Sequence, residues 1–301
     1  MSPRITPLTD APSSASSGPS AAPGARRLAW LADDEDGNPV GSAFVRLPGA
    51  EGRSHVADLD LHVHPAERRR GVGTRLLAAA VRAAGDEGRR TLAAEVRAGS
   101  AGEAFLAARG FRAALTLIHV RLALADVDTA ALDAAVARPH PGYRLLSWDG
   151  VVPAHLAPTF ARSRRAMDDM PMGAVDHVTP AWDVERVRAA ARAVADRGDL
   201  LHTVAAVSAS DGTVVAFTEL VVPGDGTGDA QHYGTGVLPG HRGRGLGRWI
   251  KSASILNARR GHPRLGGLLT DTADVNPHMR AINEALGYRP THRMVVCQRR
   301  L

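Results

Sequence analysis

Two stretches of this chain repeat one another at a fixed offset, and that repetition limits the folds open to it more than any other feature. Arg68-Arg-Arg-Gly71-Val-Gly73 and Arg242-Gly-Arg-Gly245-Leu-Gly247 each follow a strand-like run and precede a helical one. The differences 242 − 68, 245 − 71, 247 − 73 and 237 − 63 all equal 174. An offset that long marks a duplicated domain, since solenoid repeats run to only about 20–50 residues. The 301 residues suffice for two domains, each of roughly 100–200 residues.

Both copies read alike. In the first, residues 28–33 and 40–47 form a hairpin around the turn-rich Asp34 to Pro39, and residues 55–63 form a third strand. The Arg/Gly loop and a helix bearing Leu76, Leu77, Ala80, Val81 and Ala84 follow. In the second, residues 200–207 and 214–222 form the hairpin, 230–237 the next strand, and Leu246, Trp249, Ile250, Ala253 and Leu256 the buried helical stripe. Each copy then continues through a strand, a helix ending in Gly110-Phe111 or Gly287-Tyr288, and a last strand. The second copy alone is preceded by two further helices, at 153–167 and 181–196. The expected layout is a disordered Ala/Pro/Ser/Gly arm at 1–24, an N-terminal domain at 25–126, a helical linker at 127–142 and a C-terminal domain at 143–301.

Glycines in the loop let backbone N–H groups approach a ligand at a helix N-terminus, where the partial positive charge favours anions. A phosphate or pyrophosphate is the predicted ligand. A Walker loop is excluded because no glycine precedes the only lysine, Lys251. A dinucleotide fingerprint starting at Gly243 would need glycine where Arg248 stands.

The charge of +6 does not point to nucleic acid, because the arginines are scattered and aromatics make up only 4%. No apolar run reaches the ~18 residues of a membrane span, and the N-terminus lacks a signal-peptide pattern. The single cysteine, Cys297, fits a reducing compartment. The expectation is a cytoplasmic protein, monomeric or homodimeric, with no membrane or nucleic-acid partner and no metal.

The loops, Arg68-x-x-Gly71-x-Gly73 and Arg242-x-x-Gly245-x-Gly247, resemble the Arg/Gln-x-x-Gly-x-Gly/Ala pyrophosphate loop of the GNAT acyl-CoA N-acyltransferases. The hairpins before them, the Gly-Phe or Gly-Tyr pairs after them, and residues 276–288 in the second copy extend the resemblance over nearly the whole chain after the arm. It implies an α/β (α+β) fold of two tandem GNAT-like domains, each a mixed, mostly antiparallel sheet flanked by helices, with strands four and five splayed. It also implies that acetyl-CoA threads between those strands. Val237 and Leu238 would then offer backbone groups to the pantetheine arm and thioester carbonyl. The amides of Gly243, Arg244, Gly245, Leu246, Gly247 and Arg248, beside Arg242, would hold the pyrophosphate, and Asn276 matches a position that contacts the cofactor arm. In the first copy the matching residues are Val63, Arg68, Arg69, Gly71, Val72, Gly73 and Thr74.

Acyl transfer to an amine needs a base, an oxyanion donor and an acid for the departing thiolate. The family's frequent glutamate, eleven residues before the motif arginine, is Gln231 here, and glutamine cannot act as a base. Glu219 in an apolar strand is a substitute whose pKa burial would raise. On strand four, Tyr233 shares the parity of Gln231 and Val237, with His232 as the alternative. The family's tyrosine acid, four residues before the Gly of the Gly-Phe pair, corresponds to Asn283 and to Leu106. A water on Asn283, or Tyr233, would take the acid's role in the second copy, whereas Leu106 leaves the first degenerate; Tyr288 reads as core. Acceptor binding falls to Asp168, Asp169, Met170 and Met172 with Gln231, although both aspartates also read as solvated loop charges. The favoured reading is an N-acetyltransferase acting on a primary amine of a small molecule or peptide through its C-terminal domain. The other is an inactive acyl-CoA-binding sensor or scaffold.

Overall fold

The computed structural model describes residues 4–8, 26–49, 52–176 and 181–301. They form two compact units. One takes the described residues up to Thr116, those of Met172–Pro180, and Arg293–Leu301; the other takes Leu117–Pro171 and Ala181–His292. No helix among the described residues is long and apolar enough to cross a membrane.

In the first unit β1 (Arg4–Leu8), β2 (Arg26–Asp33), β3 (Pro39–Leu47) and β4 (Val56–Val63) pair in succession, all antiparallel. The β2–β3 turn is set by the Asp34 carboxylate, which accepts from the amides of Asp36 and Asn38 at 3.0 and 2.8 Å. α1 (Val72–Asp86) crosses to β5 (Thr91–Arg97), parallel to β4, and α2 (Ala101–Ala107) leads into β6 (Arg112–Ala123). Leu76, Leu77, Ala80 and Ala84 of α1 are buried, on the stripe expected from their spacing.

The second unit begins within β6. α3 (Thr129–Ala137) is capped by Asp128, and β7 (Tyr143–Asp149), α4 (Ala157–Ser163) and α5 (Val184–Ala195) follow. The helix expected over 153–167 is α4 extended by a 3₁₀ turn, Arg164–Met167. The β8 (Leu200–Ser208) and β9 (Val214–Val222) hairpin leads to β10 (Gly228–Val237), α6 (Leu246–Gly261), β11 (Leu265–Ala273), α7 (Pro277–Ala285) and β12 (Arg289–Arg300). Every residue of β9 is buried, as in a strand covered on both faces. Phe160 and Val187 of α4 and α5 pack with Phe217, while Leu246, Trp249 and Ile250 of α6 pack with Val215 and Ala216.

Two features depart from the expected layout. The copies exchange their last strands. β6 pairs with β11, Leu117↔Ala273 through Ala123↔Gly267, and its Ile118, Val120 and Leu122 fill the second core. β12 pairs with β5, Met294↔Arg97 through Arg300↔Thr91, and its Val295 and Cys297 fill the first. The sequence boundaries at 126 and 143 therefore do not coincide with the edges of the compact units. The other departure lies in the arm. Residues 9–25 are outside the described set, but Arg4–Leu8 form an edge strand on β2, with Ile5 packed on the first core. A single apolar side chain and the unpaired edge of β2 recruit it.

Candidate active site

Both Arg/Gly loops adopt one backbone conformation. Arg69 and Gly243 have φ of 67° and 74°, and Gly71 and Gly245 have φ of 84° and 77°. Gly71 and Gly245 are the N-caps of α1 and α6, and neither helix has a side-chain cap. α2, α3, α5 and α7 are instead capped by Ser100, Asp128, Asp183 and Asn276. Among the described residues no protein acceptor meets the amides of residues 69–74 or 243–248. Six N–H groups per loop are left for an anion at a helix N-terminus. Arg68 Nε donates to the Val63 carbonyl at 3.3 Å, and Arg242 Nε to the Val237 carbonyl at 3.0 Å, tying each loop to the strand before it.

The last glycine of each loop faces a side chain of the next helix in its unit. A Cβ on Gly247 would lie 3.3 Å from Ile282 Cδ1 on α7, and one on Gly73 would lie 3.4 Å from Phe105 Cζ on α2. The first distance is tight against the tip of a flexible side chain, and the second is ordinary van der Waals contact. Beside the second loop, Arg244 lies over the Tyr143 ring at 5.8 Å and His140 stacks on Trp249 at 4.1 Å.

Each loop lies past a split in its sheet. β10 and β11 pair in parallel only through Gln231↔Leu269, although both strands continue, to Val237 and Ala273. In the first unit β4 and β5 part after Leu59↔Ala94.

On β10 a bulge resets the alternation. His232 faces Leu220 and the next pair is Gly234↔Glu219, so Tyr233 is the extra residue. Parity counted across it fails. Tyr233 is 49% exposed and its hydroxyl accepts from Arg197 at 3.0 Å. His232 and Thr235 share a face, since both reach Thr218 Oγ1, at 3.4 and 2.7 Å. His232 is buried and meets the Tyr288 hydroxyl at 2.9 Å through Nε2. Burial, and then the charge of Lys251, hold its imidazole well below its usual pKa.

Glu219 is on the opposite face of the sheet, under the Arg164–Met167 turn. Both its carboxylate oxygens accept from one Arg164 nitrogen, at 2.6 and 2.7 Å, and the guanidinium packs over Trp182, Phe217 and Phe160. Burial pushes the carboxyl pKa up against the pull of Arg164. That turn packs on bare backbone: a Cβ on Gly236 would lie 2.9 Å from Ala166. Glu219 is thus one half of a buried ion pair instead of a free base.

Other expected contacts are also spoken for. The Leu238 amide donates to Val215 at 2.9 Å, Gln231 Nε2 donates to the His232 carbonyl, and Asn276 caps Met279. Asp169 pairs with Arg242 at 3.0 Å, while Asp168 is exposed and Met170 half-buried. Met172 belongs to the segment assigned to the first unit, where Ala174 donates to Ala114 and Asp176 binds His55 and Thr91.

Asn283 is buried, accepts from Lys251 Nζ at 2.9 Å and donates to Thr272 at 3.1 Å. Lys251 also lies over the Tyr288 ring at 4.9 Å. Complete burial lowers its pKa from 10.5 to about 7 and pushes the Tyr288 phenol up.

Residues 11–111, the first copy, match the profile of the acetyltransferase (GNAT) family. A tandem GNAT protein from the clavulanic acid biosynthesis pathway, solved without AcCoA, matches 93% of this chain over 84% of its own, with 29% identity and a TM-score of 0.72. The chain has the tandem GNAT fold. GCN5-related N-acetyltransferases from Sphaerobacter thermophilus and Kribbella flavida share that fold. The first has 18% identity and TM-score 0.62, covering 90% of this chain and 80% of its own. The second has 18% identity and TM-score 0.55, covering 86% and 87%. No curated protein matches in sequence.

Within this tandem GNAT framework the sequence reading passed over Lys251 and placed Tyr288 in the core, where it lies, without its bond to His232. The available signal was composition: one lysine among 37 basic residues. Arginine stays charged in any protein environment, whereas lysine titrates when buried.

Proposed function

We propose that the second unit is an acetyl-CoA-dependent N-acyltransferase that acylates a primary amine of a small molecule or peptide by direct attack. The observation that carries this reading is the set of six amides, 243–248, without a protein acceptor, past a split sheet and braced by Arg242. They fit a pyrophosphate, with Arg244 and Arg248 adding charge. Bound there, the cofactor would supply an activated acyl thioester. The chain's residues would bind and orient it and move protons. With Glu219 held by Arg164, His232 is the uncharged nitrogen base on the diverging half of β10.

The first unit has a loop of the same conformation and the family's sequence pattern, but among its described residues no counterpart of α4 and α5. We assign it cofactor binding without an acceptor site. The occupied state of Glu219 favours one other reading, an acyl-CoA-binding sensor without turnover.

Calorimetry with acetyl-CoA, and thiol release over a panel of polyamines, amino acids, aminoglycosides and peptides, test both. The transferase reading requires turnover that Gly245→Val abolishes and Gly71→Val spares. The reverse pattern would overturn it, and binding with no turnover on any amine would leave the sensor.

A further inference from the structure

Beyond the loop and the split sheet, the second unit buries a polar network that joins α6, α7, β9, β10 and β11. Lys251 on α6 donates to Asn283 on α7, which donates to Thr272 on β11. Beside it, Tyr288 meets His232, and Thr218 joins His232 to Thr235. The β10 and β11 members, His232, Thr235 and Thr272, all lie past Gln231↔Leu269, where those strands part. The network therefore lines the diverging halves of the two strands.

A buried amine is costly unless paired. The titratable groups facing Lys251 are His232 from β10 and Tyr288 just before β12, and α7 and β11 contribute the neutral Asn283 and Thr272. Among the described residues no carboxylate bonds or ion-pairs with it. Methionine would fill the space without that cost, and arginine, used at every other basic position, could not give up a proton. The chain's one lysine is thus buried among neutral partners and, unlike arginine, can exist in both protonation states.

Resting on the transferase reading, we propose that Lys251 is the proton donor to the thiolate released in the second unit. Its Nζ gives one proton to the sulfur as the bond from sulfur to the acyl carbon breaks and the bond from the amine nitrogen to that carbon forms. The proton shed by the amine passes to His232 and from there to solvent, and Nζ is recharged from solvent. One amide and one thiol result, and nothing else is consumed. An ammonium titrating at about 7 transfers its proton downhill to a thiolate whose conjugate acid titrates near ~8.5. Asn283 fixes the Nζ position and passes no proton.

Because Lys251 is the sole lysine, a protein grown on ¹³C-lysine gives one Cε signal from the intact chain. We expect its titration midpoint near 7 and a shift of signal and midpoint on adding CoA. In Lys251→Met, thiol release should fall at least about tenfold, with the pH dependence near neutrality lost and acetyl-CoA affinity retained. A midpoint at the ordinary lysine value overturns the proposal. So does a signal blind to CoA when calorimetry on wild type and Gly245→Val shows the second loop filled, or full turnover in Lys251→Met with its circular dichroism intact. If the second loop binds no CoA, the transferase reading fails and this proposal falls with it. If CoA binds and only the lysine tests fail, the transferase reading stands alone.

Discussion

Arg242 Nε donates to the carbonyl of Val237 at 3.0 Å, and 174 residues earlier (242 − 68) Arg68 Nε donates to that of Val63 at 3.3 Å. The first arginine of each motif is thereby a brace that holds the loop against the end of its strand, as well as a nearby positive charge. Lysine keeps the charge but cannot offer a planar Nε–H. Arg242→Lys should weaken acetyl-CoA binding by about fivefold to tenfold, the worth of one hydrogen bond at ~1–1.5 kcal/mol. Calorimetry would show it, and affinity equal to wild type would mean the brace is dispensable.

Among the described residues Arg69 is the one non-glycine with positive φ, at 67°, where the second loop has Gly243. Left-handed backbone costs a residue with a Cβ about 1–2 kcal/mol, and glycine's greater unfolded-state entropy returns roughly 0.5–1 of it. Arg69→Gly should therefore leave stability unchanged or raise it by up to about 1.5 kcal/mol. Gly243→Arg should lower it by a similar amount. Denaturant titration of both variants checks the pair, and a stable Gly243→Arg would refute the strain argument.

How much of this was legible in the sequence depended on whether the signal was local. The 174-residue offset fixed both loops, because turn glycines and helix periodicity are written in adjacent residues. The exchange of β6 and β12 was not legible. Val295 and Cys297, like Ile118, Val120 and Leu122, alternate as any half-buried strand does, and alternation does not name the neighbour. The bulge at Tyr233 is marked in the sequence only by the adjacent Gly234, and it reversed a face assignment that counting by twos had made. Glu219 was read correctly as a carboxylate in an apolar strand, but its partner Arg164 is 55 residues away on a separate element. Lys251 was in plain view as the only lysine, and what hid its setting was that burial is a property of the fold.

Lys251 also makes stability depend on pH. Unfolded, its amine holds a proton up to 10.5; folded, it releases it above about 7. Between those values the unfolded chain binds more protons, so stability rises with pH. The contribution is fully present above 10.5 and is lost as pH falls through about 7. At ~1.4 kcal/mol per tenfold the gap corresponds to about 5 kcal/mol at most. Lys251→Met should be more stable than wild type at pH 7, with the difference shrinking by pH 9.5. Thermal melts across that range check this, and a constant difference would show that the lysine does not titrate.

Arg164 and Glu219 present the opposite case, in which two buried charges are matched. Leaving one unpaired costs about 3–5 kcal/mol, whereas replacing both with apolar residues of similar volume is often neutral. Glu219→Leu should therefore destabilise strongly by leaving a buried guanidinium between Phe160, Phe217 and Trp182, and Arg164→Met should do so by stranding the carboxylate. Arg164→Met combined with Glu219→Leu should recover most of the loss in denaturant titrations. The double variant also decides the chemistry of Glu219. If the pair is structural, a refolded double variant keeps its thiol-release activity on any amine that wild type accepts. If activity is lost while stability and acetyl-CoA affinity return, Glu219 is the base after all and exchanges Arg164 for the substrate during turnover.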